Sequence, residues 1–220
     1  MDEGGEYITI NDVLVLLYWY LQEVRGEPGW VVRNLATTHL LDRLATHFGE
    51  KCIEVPVGFK HVASAMVEHN ALLGGESSGG LTIRGHILGK DGIFAAALVV
   101  EMLAATGQTI SQLLGRVFGI TGRMHLVEES MPATSEMRVA IPRRLSEAPI
   151  SSLGEWCVER VSQLDGTKFF IEGDRWALLR FSGTEPVLRL FAEAPTSDEA
   201  WSLVASLKSR VGMSAGELAT

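Results

Sequence analysis

The residues best suited to chemistry lie in polar loops. Arg180-Phe181-Ser182-Gly183-Thr184-Glu185-Pro186 separates two apolar runs, 176–181 and 187–192, that read as strands. An arginine offers a planar fork of donors that matches phosphate oxygens two at a time. Ser182 and Thr184 add hydroxyl donors, and Gly183 would let successive backbone N–H groups turn inward as an anion nest. Ser, Gly, Thr and Pro are also ordinary turn residues, so the loop alone reads equally as a polar turn that holds an arginine.

A second loop, 74–80, places Glu76, Ser77 and Ser78 between pairs of glycines after a short apolar run. A carboxylate acceptor beside hydroxyls, with glycines that allow close backbone approach, suits the vicinal diol of a sugar. By itself it also reads as a Gly/Ser surface loop. A third stretch, Gly58-Phe59-Lys60-His61, opens a helix. Lys60 and His61 there could serve a phosphate or a proton transfer, and each alone also reads as a solvated helix residue. His39, which follows Thr37 and Thr38, reads by itself as a helix-start residue. The stretch 84–91 is not a P-loop, because Asp91 stands where a Ser or Thr is required and the glycine spacing is wrong. There is no Ser-His-Asp order, zinc motif or dinucleotide fingerprint.

The elements around these loops change character along the chain. Residues 7–10 read as a short strand, and Asn11 as the N-cap of a helix to about 24. Strands at 30–35, 52–57 and 72–73 then alternate with helices at about 38–48 and 58–70, followed by helices at 91–106 and 109–118. That alternation predicts a layered α/β domain, its sheet mixed or mostly parallel, over 1–128, with 122–128 as its last strand. Residues 129–135 read as a linker or hinge. From 136 to 220 the expectation is a small α+β domain with an antiparallel sheet: strands at 137–141, 156–161, 168–172, 176–181 and 187–194, then a helix capped by Asp198 with Trp201 turned inward. Asp165-Gly166 and Gly173-Asp174 are tight-turn pairs in that meander.

Of the 220 residues, 46% are hydrophobic and 21% charged, as in a soluble globular protein. A net charge of −8 argues against nucleic acid or an anionic membrane as the main partner, but not against a small anion in a local basic pocket. Cys52 and Cys157 lack metal-ligand spacing and read as buried thiols, which suits a reducing cytoplasm. No basic-then-apolar leader opens the chain, and its apolar runs are too short to span a membrane.

Taken together, the loops resemble the α-D-phosphohexomutases, the phosphoglucomutase and phosphomannomutase family. Val57-Gly58-Phe59-Lys60 resembles the family's VGxK segment, Gly75 to Gly80 its GExSGG sugar loop, and Arg180 to Pro186 its RxSGTEP phosphate loop. Thr37 to Arg43 and Lys90-Asp91-Gly92 also look like family segments. Members have four domains, and this chain is similar to the third and fourth.

The resemblance implies that Glu76 and Ser78 hold sugar hydroxyls, with His39 a further candidate. It implies that Arg180, Ser182, Gly183 and Thr184 grip the phosphate that is not transferred, and that Lys60 lies beside the reacting centre. It implies an enzyme that moves phosphate between C1 and C6 of a hexose through a hexose 1,6-bisphosphate, with Mg2+ as cofactor and a hexose phosphate as substrate. The family's phosphoserine and metal loops are not in this sequence, so no metal ligand is assigned here. The start of the chain looks like a cut just after the metal loop, with the preceding domains as partners. The chain alone is then expected to lack activity and, through surface those domains would cover, to be able to form a homodimer. A stand-alone phosphosugar-binding module and a phosphoglucosamine mutase are the alternatives. The latter ranks lower, since that branch often carries His where Gly80 stands.

Overall fold

In the first unit, strands Val31–Asn34 (β1), Cys52–Val55 (β2), Leu73–Gly75 (β3) and Leu81–Ile83 (β4) form a sheet in the order β2-β1-β3-β4. β1 runs parallel to β2 and β3, and β4 returns antiparallel to β3. Helices Ile10–Trp19 (α1), Leu40–His47 (α2), Phe59–His69 (α3), Gly92–Thr106 (α4) and Ile110–Thr121 (α5) surround it. The computed structural model describes residues 1–212, and the two units divide after Arg123.

Two adjacent glycines explain the layering. Successive side chains on a strand point to opposite faces. A Cβ on Gly74 would collide with Met66 and Val62 of α3, and one on Gly75 with Leu14 of α1. The two helices therefore cover opposite faces of β3, and only glycine lets both approach. α1 is buried from Leu14 to Trp19, as a helix with apolar residues all round must be. Its cap is Thr9 rather than Asn11: the Thr9 hydroxyl accepts from Asp12 N, and the Asp12 side chain accepts from Thr9 N. That capping box replaces the strand expected at 7–10, and Tyr7 stays exposed.

α4 is capped by Asp91 and closed by Gly107 in the left-handed conformation. Only Leu98 and Met102 of this apolar helix are buried. Ile93, Ala96, Ala97, Val100 and Ala104 form an exposed stripe at helical spacing, with Ile93 86% and Val100 65% exposed. Surface-sensitive dyes such as anilinonaphthalene sulfonate are expected to bind here. Val100→Lys should lower that fluorescence without moving the melting temperature; unchanged fluorescence would place the dye elsewhere. No single helix among the described residues is long and apolar enough to cross a membrane.

The second unit is an antiparallel sheet in the order β5-β10-β9-β8-β7-β6, from His125–Pro132 (β5), Ser152–Leu153 (β6), Trp156–Ser162 (β7), Thr167–Ile171 (β8), Arg175–Phe181 (β9) and Val187–Ala194 (β10). Helices Ser135–Glu147 (α6) and Ser197–Arg210 (α7) complete it. Leu188, Leu190, Ala192 and Ala194 alternate along β10 into one core with Leu179, Phe169, Ile141, Leu203 and Leu207.

Several expectations change here. Residues 129–132, read as a linker, lie in β5, which pairs with β10 from Val187 opposite Pro132 to Ala194 opposite His125. The same strand takes 125–128 into the second sheet, not the first. Its glutamates suggested a loop, but on an edge strand they are ion-pair partners: Glu128 for Arg189 at 3.0 Å and Glu129 for Lys208 at 2.7 Å. Residues 137–141 are helical, inside α6. Met137, Ile141 and Leu145 recur every fourth residue against the core, while Pro142 disguised the helix. Thr196, not Asp198, caps α7, and Trp201 is 45% exposed. Neither cysteine is fully buried: Cys52 is half-buried on β2 and Cys157 is exposed on β7. The second domain was expected to run to 220; positions 213–220 lie outside the described residues.

Candidate functional site

Glu76 is the centre of the first unit's candidate site. It follows β3 directly and is only 2% exposed. A carboxylate this deep must be fully hydrogen-bonded or it destabilises the fold. Its Oε1 accepts from Asn34 Nδ2 at 3.0 Å and from Gly58 N at 2.9 Å, and its Oε2 lies 3.2 Å from Lys90 Nζ. Gly58 reaches that position with φ +127, a conformation that L side chains rarely adopt. Backbone bonds from Glu76 N to Gly80 O and from Gly79 N to Glu76 O close the loop.

Asn34 ends β1 as a buried polar residue. Its Oδ1 accepts from Ala36 N and from the Thr37 hydroxyl, both at 2.9 Å, and Thr37 Oγ1 in turn accepts from Ser77 N at 3.0 Å. The adjoining loops are thus tied to one asparagine, with the Ser78 side of the loop left exposed. Lys60 is exposed on the first turn of α3, two residues from Gly58. Lys90 passes over Gly80, where a Cβ would stand 2.7 Å from Lys90 Cε. That lysine follows His86, which lies 3.1 Å from the Asp91 carboxylate and stacks on Phe94 at 3.8 Å. The bonds from Phe94 N and His86 hold the Asp91 carboxyl below its ordinary range, so Asp91 stays charged at the N-terminus of α4.

His39 sits in a neighbouring cluster. It lies 3.7 Å from Glu54, which also accepts from Arg33 Nη1 at 2.7 Å. Arg33, 2% exposed, grips Asp42 through Nε at 2.6 Å and Nη2 at 2.9 Å. Burial alone would lower its pKa; the Asp42 and Glu54 carboxylates outweigh that and raise it well above the ordinary value. Burial, and then the Asp42 carboxylate, push the Cys52 thiol up.

In the second unit the phosphate-loop candidates lie together at one end of the β9–β10 hairpin, with Arg180 the penultimate residue of β9 and Ser182, Gly183 and Thr184 in the turn before β10. Arg180 Nε donates to Asp165 Oδ2 at 2.9 Å. The Asp165-Gly166 turn lies tight against β9: Gly166 has φ +94, and a Cβ there would collide with the Leu179 carbonyl. Ser182 is buried, and its Oγ accepts from Thr184 N at 3.4 Å and Glu185 N at 3.2 Å. Those amides are therefore spent inside the loop, and Gly183 does not use the left-handed region. The expected nest of successive amides is replaced by a Ser182-centred turn with open space around Gly183. Arg189 braces the far side through Glu185 at 2.8 Å.

Asn34 and the role of Asp165 as the partner of Arg180 are contacts that the sequence did not reveal, while Thr37 and Lys90 stood out only as parts of family-like segments. An asparagine beside Arg33 near the end of the strand-like run 30–35 was the signal available for the first of them. Among the described residues no cluster of three or more His, Cys, Asp or Glu could hold a metal ion.

Residues 9–119 match phosphoglucomutase/phosphomannomutase alpha/beta/alpha domain III, and 138–208 match the C-terminal domain of the same family. The chain belongs to the phosphoglucomutase/phosphomannomutase family. A phosphoglucomutase/phosphomannomutase of Thermococcus kodakarensis is 31% identical over 91% of this chain and 41% of its own length. A Pyrococcus furiosus protein assigned as a phosphoglucosamine mutase is 32% identical over 93% of this chain and 43% of its own. The crystal structure of a Thermus thermophilus protein assigned as a phosphomannomutase superposes with a TM-score of 0.76 at 28% identity, over 94% of this chain and 42% of that one. The chain thus spans less than half the length of these family members. The layered α/β unit followed by an antiparallel α+β unit is the family's domain III and C-terminal domain arrangement.

Proposed function

We propose that this chain is the C-terminal, substrate-binding part of a phosphohexomutase that moves phosphate between C1 and C6 of a hexose through a hexose 1,6-bisphosphate. The observation that carries the reading is the Glu76 carboxylate, buried, with one oxygen held by Asn34 and Gly58 and the other beside Lys90. Such a group is held at fixed position, a shift of the exposed Lys90 side chain would free its second oxygen to accept from a hydroxyl, and Ser78 stands exposed on the same loop. The Arg180, Ser182, Gly183 and Thr184 loop offers charge and hydroxyls to a phosphate. A hexose phosphate carries both kinds of group. In this reading the phosphoryl donor and the Mg2+ ligands come from the part of the family's length that this chain does not span, and the reaction takes place in the cytoplasm.

The test is an assay of the 220-residue chain for conversion of glucose 1-phosphate to glucose 6-phosphate, alongside calorimetric titration with glucose 6-phosphate. Binding without turnover is the expected result. Robust turnover would overturn the claim that the donor lies elsewhere, and absence of binding would favour a different role for the loops.

A phosphoglucosamine mutase is the second reading, favoured by the name of the Pyrococcus furiosus relative. At Gly80, where the resemblance leads one to expect histidine in that branch, Lys90 fills the space instead. Competition among glucose, mannose and glucosamine 6-phosphates for the chain separates the two.

A further inference from the structure

Arg138 lies in the first turn of α6 after the Thr134 cap and belongs to none of the loops read as binding sites. Its guanidinium nonetheless reaches the Arg180 loop. Nη2 donates to Ser182 O at 3.0 Å and to Glu185 O at 3.2 Å, and the guanidinium lies 5.1 Å from the centre of the Phe181 ring. One cation thus touches Phe181, Ser182 and Glu185 together. A trans peptide is planar, with its C=O and the following N–H on opposite sides. Drawing the Ser182 carbonyl toward α6 therefore turns the Gly183 N–H away from α6.

Of the other amides in the loop, Thr184 N and Glu185 N are bonded to Ser182 Oγ, and Pro186 has none. Gly183 is exposed, and no atom beyond its two chain neighbours lies within 4 Å of where its Cβ would be. Its amide is the backbone donor that a ligand in that space would meet.

We infer that Arg138 is a positioning residue: by holding the Ser182 and Glu185 carbonyls it aims the Gly183 amide at the bound phosphate. The inference rests on the phosphate reading of the Arg180 loop. Phe181 has a part in it, because its ring is the platform on which the guanidinium stacks. A lysine could keep one charge-assisted bond to the carbonyls but not the planar fork or the stacking.

The experiment is a titration of the full chain with inorganic phosphate, followed by the amide resonance of Gly183, for the unaltered protein and for Arg138→Gln, Arg138→Lys and Arg180→Ala. The unaltered chain should show a phosphate-dependent Gly183 shift. Arg138→Gln should lose most of that shift and bind about tenfold more weakly, with Arg138→Lys between the two. Melting curves identify a variant that fails to fold, in which case Arg138→Lys carries the comparison. If Arg138→Gln titrates like the unaltered chain while Arg180→Ala does not, the positioning role is wrong and the phosphate reading survives. If Arg180→Ala is also unaffected, or the unaltered chain shows no phosphate-dependent shift of Gly183, both fall.

Discussion

Glu76→Ala is expected to lower the melting temperature of the first unit by about 10 °C, while Glu76→Gln lowers it by no more than about 3 °C. The difference follows from what each change leaves behind. Alanine orphans the Asn34 amide and the Gly58 N–H in a site only 2% exposed. A buried donor without a partner costs about 1–3 kcal/mol, so the pair costs about 3 kcal/mol. Glutamine keeps a carbonyl oxygen that can accept from both. It loses only the pairing with Lys90, whose side chain is 54% exposed and whose contribution is correspondingly small. Both variants should lose affinity for hexose phosphates, because the charged acceptor is gone in each. Differential scanning calorimetry and a binding titration on the two proteins separate the structural role from the binding role. Equal melting temperatures would show that the two donors find other partners and that Glu76 does not anchor its loop.

Arg180→Ala is expected to weaken hexose-phosphate binding about 30-fold, which is about 2 kcal/mol. The arginine is held through Nε by Asp165, so its outer edge is oriented before a ligand arrives. That preorganisation is why a charge-assisted pair here should be worth more than an exposed one. Arg180→Lys should fall between, since an ammonium keeps the charge without the fork. The side chain is 15% exposed, so its removal also loses packing. Melting should nonetheless shift far less than for Glu76→Ala, because Asp165 is 27% exposed and can be hydrated. Binding by Arg180→Ala equal to that of the unaltered chain would remove the phosphate role from this loop.

The alternation of apolar runs and glycine stops made most of the first unit legible, because β1, β2 and α2 to α5 carry the periodicities that burial demands. The junction was not. Glu128, Glu129 and Ser130 look like loop residues unless one knows that Arg189 and Lys208 will stand beside them. α6 was hidden by Pro142 and by a five-residue window in which fourth-residue spacing resembles alternation. In the candidate site, chemistry plus family likeness singled out Glu76 and Arg180 as candidates. Their partners Asn34 and Asp165 lie 42 and 15 residues away, and only the folded chain brings them within reach.

The contrast between the two cysteines has a practical use. Burial and the Asp42 carboxylate suppress the thiolate of Cys52, while Cys157 stands exposed on β7 of the other unit. Alkylation of the native protein is therefore expected to favour Cys157 over the half-buried Cys52. A fluorophore attached through Cys157 would report on the second unit without any cysteine being engineered in or out.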